Sequence, residues 1–112
     1  MKIEAYKQKK LSNHYSISVV IMAFNERETL EQVVTDIDSH LKQLFSNKYE
    51  ILIIDDGSTD GTEKIADNLQ MKYPVVSAIH HKKNEGLGGV YRTAFSKAKN
   101  DFITFYPADS QL

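Results

Sequence analysis

Apolar residues along this chain fall into two alternating patterns, short unbroken runs and longer stretches with helical spacing. The runs "SISVVIMAF" (Ser16 to Phe24), "EILIID" (Glu50 to Asp55), "VVSAIH" (Val75 to His80) and "DFITFY" (Asp101 to Tyr106) have the length and β-branched content of buried strands. Between the first two, Leu30, Val33, Val34, Ile37, Leu41, Leu44 and Phe45 recur on one face of a helix. Asn25, followed three residues later by Glu28, reads as a capping box at the entry to that helix. A second helix is expected to start near Thr59 or Asp60, to bury Ile65, Ala66, Leu69 and Tyr73, and to stop before Pro74. A third, from about Gly88 to Lys99, would bury Val90, Ala94 and Ala98. Strand and helix alternate throughout, which predicts an α/β fold: a mainly parallel sheet of about four strands with right-handed crossovers and helices packed on it.

Composition narrows the function classes. The length of 112 residues suits one small domain, and 14 Lys+Arg against 15 Asp+Glu leave a net charge of −1, which excludes nucleic-acid binding through bulk positive charge. The chain has no cysteine, so disulfides and thiolate metal sites are excluded and a reducing compartment fits. Its longest near-continuous apolar stretch, "ISVVIMAF", is far too short to span a bilayer. The opening "MKIEAYKQKKLSNH" carries lysines but no apolar segment after them, so residues 1–14 read as a polar tail and not as a secretory signal. A cytoplasmic location follows as the expectation, including the cytoplasmic face of a membrane.

Parallel strands joined by helices open their following loops on one edge of the sheet, and ligands bind beyond the carboxyl ends of such strands. Here those loops are polar. Asn25 and Glu26 follow the first strand, Asp55 and Asp56 the second, "HHKKNEGLGG" the third, and Asp109 and Gln111 the fourth. For Asp55 and Asp56 two readings are open at this point: they shape the turn into the next helix, or they meet a ligand. Carboxylates gathered from separate loops repel one another, and a hard divalent cation with phosphate oxygens makes such a cluster tolerable. The lack of a matching set of arginines favours a metal–diphosphate ligand over a simple carboxylate or a sugar. In "KKNEGLGG", Gly86 and its neighbouring glycines let backbone amides approach an anion, with Lys83 beside them and a helix N-terminus behind. That spacing matches neither the Walker loop nor the dinucleotide fingerprint. His80 and His81, adjacent on a strand, point to opposite faces and make a poor chelating pair, so structural or surface roles are expected for them.

Taken in order, "VVIMAFNE", "EILIIDDGSTDGT", "NEGLGG" and "DFITFYPADSQ" resemble the first half of a family 2 glycosyltransferase with the GT-A fold, in the dolichyl- or polyprenyl-phosphate sugar transferase branch. The resemblance implies a Rossmann-like GT-A half over residues 15–112 that binds a nucleotide-diphosphate sugar. It places Ala23, Phe24 and Glu26 in the base and ribose pocket. It gives Asp56 the carboxylate that accepts hydrogen bonds from base or ribose, and Asp55 the holding of the loop. It puts Asp109 and Gln111 on the last two polar places of a motif that holds Mg²⁺ or Mn²⁺ against the diphosphate. Two departures stand out: Pro107 replaces the first acid of that motif, and Met22-Ala23-Phe24 replaces a Pro-Thr-Tyr. The implied acceptor is a polyprenyl phosphate or a glycan, with inversion at the sugar carbon. No catalytic base is identified, so the expectation is a donor-binding half that is inactive alone. A non-catalytic nucleotide-sugar-binding fragment and a nucleotidyltransferase-like domain are the alternatives.

Overall fold

The structure, a computed structural model, describes residues 15–109. Four strands, β1 (Ile17–Ala23), β2 (Tyr49–Asp55), β3 (Val76–His80) and β4 (Phe102–Pro107), alternate with three helices, α1 (Leu30–Phe45), α2 (Thr62–Lys72) and α3 (Gly86–Lys97). All strand pairs are parallel, in the order β3-β2-β1-β4. The expected α/β architecture is therefore the observed one.

β2 is buried at every residue and β1 at nearly all, as their unbroken apolar runs require of strands covered on both faces. On one face Val19, Ile21, Ile51 and Ile53 pack with Leu30, Val33, Val34 and Leu41 of α1 and with Ala66 and Leu69 of α2. On the other, Val20, Leu52 and Ile54 meet Val90 and Ala94 of α3. Each strand residue alternates sides, so one run supplies both cores. At the foot of the sheet the buried Glu50 carboxylate accepts hydrogen bonds from Ser18 Oγ at 2.6 Å and from the Lys99 amide at 2.7 Å, which anchors the return from α3 into β4. β4 lies on the opposite side of β1 from β2, so the chain reverses direction across the sheet between β1 and β4. Open α/β sheets bind ligands at this kind of switch point.

Several boundaries differ from the expectation. α1 begins at Leu30, with no side-chain cap at Thr29. Asn25 is not its cap: the residue takes φ 52° and its Oδ1 accepts the Thr59 amide across the sheet edge at 2.8 Å. Leu44 is exposed, because it lies at the margin of the apolar stripe beyond the reach of β2. α2 starts at Thr62 and not at Thr59 or Asp60; Asp60 Oδ1 accepts the Thr62 amide at 3.0 Å, so the acid precedes the helix and ties its first turn. α3 runs two residues earlier at both ends than the Gly88 to Lys99 expectation. The extended Ala98 ends it, leaving Lys99 and Asn100 to meet Glu50 and Ser18.

Candidate functional site

Beyond the C-terminal ends of the strands the loops are sewn to one another. After β1, the Asn25 amide donates to Ser58 Oγ at 2.9 Å and the Glu26 amide to Thr62 Oγ1 at 2.9 Å. "DDGSTDGT" thus uses its hydroxyls to hold the β1 loop as well as to start α2. After β4, the Ala108 amide donates to the Met22 carbonyl at 3.1 Å, while its carbonyl accepts from Thr29 Oγ1.

The two adjacent aspartates have different surroundings. Asp55, 2% exposed, accepts the Ser58 amide on Oδ1 at 3.1 Å and faces His80 Nδ1 with Oδ2 at 2.9 Å. It shapes the turn. Asp56, 5% exposed, accepts the Glu85 amide at 2.8 Å and His81 Nδ1 at 2.7 Å on Oδ1, and the Gly86 amide at 2.9 Å on Oδ2. Burial opposes its charge, but the His81 ring and the two amides outweigh that and hold its carboxyl below the usual carboxylate range. The glycine loop is therefore pinned onto a carboxylate of the acidic pair. Gly57, at φ +78°, lets the two loops touch: a Cβ there would lie 2.5 Å from the Asn84 nitrogen and the Lys83 carbonyl carbon.

Ala23, Phe24, Glu26, Asp56 and Gly86 all line one cavity of about 190 Å³ at the end of β1. Met22, Leu87 and Val90 complete its wall, so an apolar side faces two acids. Lys83 is exposed and does not line it. A second, polar cavity of about 270 Å³ shares Glu26 and extends over Asn25, Arg27, Thr29 and Asp60. Glu26 has its carboxyl pushed above the usual range by burial first and then by the Asp109 and Asp60 charges, so acids from the β1 and β4 loops do converge. Gln111 lies outside the described residues, as does the 1–14 tail.

His80 and His81 make structural hydrogen bonds to different partners, and it is the identity of those partners that the sequence did not show. Each contacts a different member of the acidic pair, and His80 Nε2 also reaches Asp67 of α2 at 2.7 Å. Asp55 and His80 are register partners between β2 and β3, so a "DD" and an "HH" at the ends of neighbouring strands was the available signal. Among the described residues Glu63, Asp67 and His80 form one group with atoms close enough to surround a cation, although both ring nitrogens of His80 already face carboxylates. No described helix is long and apolar enough to cross a membrane.

Comparison with known proteins agrees with this geometry. The chain is 39% identical over 95 residues to a dolichol-phosphate mannosyltransferase of Pyrococcus furiosus, covering 85% of this chain and 26% of that protein. It is 33% identical over 98 residues to a dolichyl-phosphate beta-glucosyltransferase of Saccharomyces cerevisiae, covering 83% and 29%. The chain thus spans between a quarter and a third of the length of these relatives. Among solved structures, the mannosyltransferase PcManGT of Pyrobaculum calidifontis, in complex with GDP-Man and Mn²⁺, superposes with a TM-score of 0.76 at 17% identity, covering 96% of this chain and 34% of that one. TarS 1-349 of S. aureus, in complex with UDP-GlcNAc, gives 0.69 at 25% identity, covering 84% and 26%. These neighbours share the GT-A fold. The model of "Glycosyl transferase family 2" matches residues 18–112, and the chain belongs to that family.

Proposed function

We propose that this chain is the donor-binding part of an inverting glycosyltransferase that takes a nucleotide-diphosphate sugar and passes the sugar to a polyprenyl phosphate or a glycan. The observation that carries the reading is the cavity at the switch point, in which Phe24, Leu87 and Val90 offer an apolar wall and Asp56 and Glu26 offer acceptors. A planar base needs both, a surface to lie against and fixed polar groups that orient it. Asp56 accepts from the base or ribose, Ala23 and Phe24 flank it, and Glu26 meets the ribose. The Glu85 and Gly86 amides are taken by Asp56, so Lys83, exposed beside the Gly86 turn, is the group that attracts the diphosphate. A polyprenyl phosphate matches the dolichol-phosphate acceptor in the names of the relatives, and transfer to such a lipid would take place at a membrane surface.

A divalent cation fits the acids that converge here. The mutual repulsion of Glu26 and Asp109 marks a place where positive charge is welcome, and carboxylate oxygens suit Mg²⁺ or Mn²⁺. Asp109 and Gln111 would hold the ion. When bound, it would stabilise the charge of the departing diphosphate. Pro107, in place of an acid, leaves few protein ligands, so the ion depends on phosphate oxygens for the rest of its shell.

Calorimetric titration of the chain with UDP and with GDP tests the reading. Asp56→Ala should weaken binding of whichever nucleotide is held by roughly tenfold or more, the value of a hydrogen bond to a charged group, and Asp55→Ala by less. Failure of both nucleotides to bind at millimolar concentration, or an equal effect of the two substitutions, overturns it.

A further inference from the structure

We propose that His81 is a positioning residue for the nucleotide site, fixing the Asp56 carboxylate and, with it, the Glu85–Gly86 turn in the cavity wall. The inference rests on the donor-binding reading above. His81 has a side chain only 7% exposed, with Nδ1 2.7 Å from Asp56 Oδ1 and Nε2 2.8 Å from Thr93 Oγ1 on α3. Its own amide donates to the Asp55 carbonyl at 2.9 Å, so the ring is anchored at its backbone and at both nitrogens. An ionised carboxylate only accepts, so a proton sits on Nδ1, while Nε2 pairs with the Thr93 hydroxyl, which can either donate or accept.

The count of acceptor sites gives this arrangement a function beyond packing. A carboxylate offers about four lone-pair directions, and His81, Glu85 and Gly86 occupy three of those on Asp56. One direction remains for a ligand, and the carboxylate cannot rotate toward another orientation without breaking a bond. His80 provides the internal contrast. It faces Asp55 by the same chemistry, but Asp55 does not line the cavity.

The test compares His81→Leu, His81→Asn, Thr93→Val and His80→Leu by UDP and GDP titration and by amide spectra. Leucine removes the donor, whereas asparagine can present an amide N–H near the place of Nδ1. His81→Leu should weaken nucleotide binding roughly tenfold while His81→Asn stays within about threefold of the parent, in line with one charge-assisted hydrogen bond. The Glu85 and Gly86 amide resonances should move in the leucine variant and return in the asparagine one. His80→Leu should leave affinity unchanged. If His81→Leu fails to fold, Thr93→Val, which frees Nε2 but keeps the ring, should show the same amide shifts in weaker form. In the parent chain, imidazole ¹⁵N shifts should report the Nδ1-protonated ring. A ring without a proton on Nδ1, parent-like affinity in His81→Leu, or an asparagine variant as weak as the leucine one each overturns the inference. If the parent binds neither nucleotide, the donor-binding reading falls separately, and the hold of His81 on Asp56 is judged by the ring tautomer and the two amides.

Discussion

Asp55 and Asp56 are neighbours in the chain, yet one serves the turn and the other the cavity. Successive residues leaving a strand point to opposite sides, so each carboxylate meets a different histidine. The His80 ring is raised above its ordinary pKa: burial works against its charge, but hydrogen bonds to Asp67 and Asp55 and their charges outweigh burial. Protons are then held more tightly in the folded than in the unfolded chain. The resulting stabilisation is complete below the unfolded value and is lost as pH rises through the folded one. Thermal melts should therefore show stability falling as pH is raised above the ordinary histidine range of about 6.5, with the dependence flattened in His80→Gln. Asp55 from β2, and Asp67 with Glu63 from α2, are the charged groups about the ring. A parent chain equally stable above that range would show that the two carboxylates do not hold the proton there.

At the scale of elements, the junction between the loops after β2 and β3 depends on Gly57. Its left-handed backbone, and the Lys83–Asn84 peptide lying 2.5 Å from where a Cβ would stand, leave no room for a side chain. Gly61, at φ +99°, has a similar backbone demand but open space around it. The pair separates strain from contact. Gly61→Ala should lose about 1–2 kcal/mol from left-handed strain alone, and Gly57→Ala roughly 1–3 kcal/mol more from overpacking, read by denaturant unfolding. Gly57→Ala should also weaken nucleotide binding, because the displaced peptide leads directly into Gly86 and the cavity wall. Equal losses in the two variants would mean that the loops can separate without cost.

For the molecule as a whole, the consequence of the strand order is that loops from both ends of the chain share one crevice. Glu26 follows β1 and Asp109 follows β4, and the adjacency of those strands brings their charges together. Metal and nucleotide should then be coupled. Nucleotide affinity should be roughly tenfold higher with Mn²⁺ than with chelator, within the usual range for coupling between sites, and nucleotide should raise metal affinity by the same factor. Asp109→Asn should remove the coupling, while Pro107→Asp should enlarge it by supplying another oxygen ligand. Tight Mn²⁺ binding without nucleotide, or affinity indifferent to chelator, would contradict a shared site.

Much of this protein was legible in its sequence because much of it is local. Runs such as "EILIID" cannot satisfy their backbone and bury their side chains except as covered strands, and the α1 stripe from Leu30 to Phe45 fits only a helix on that sheet. The order of elements by itself places Glu26, Asp56, Gly86 and Asp109 on one edge of the sheet. The sequence could not say which donor each acceptor would receive. Asn25 has the spacing of a helix cap, but the loop after β2 supplies Ser58 and Thr59 as partners 33 and 34 residues away, and this pairing replaces the local one. The structural or surface roles expected of His80 and His81 acquire definite partners only when the β2–β3 register sets Asp55 beside His80. Propensity is decided by neighbours along the chain, whereas hydrogen-bond partners this distant are decided by strand order and register. The family resemblance divided the roles of Asp55 and Asp56, but only the folded sheet decides their partners: His80 and the Ser58 amide for Asp55, and His81 with the Glu85 and Gly86 amides for Asp56.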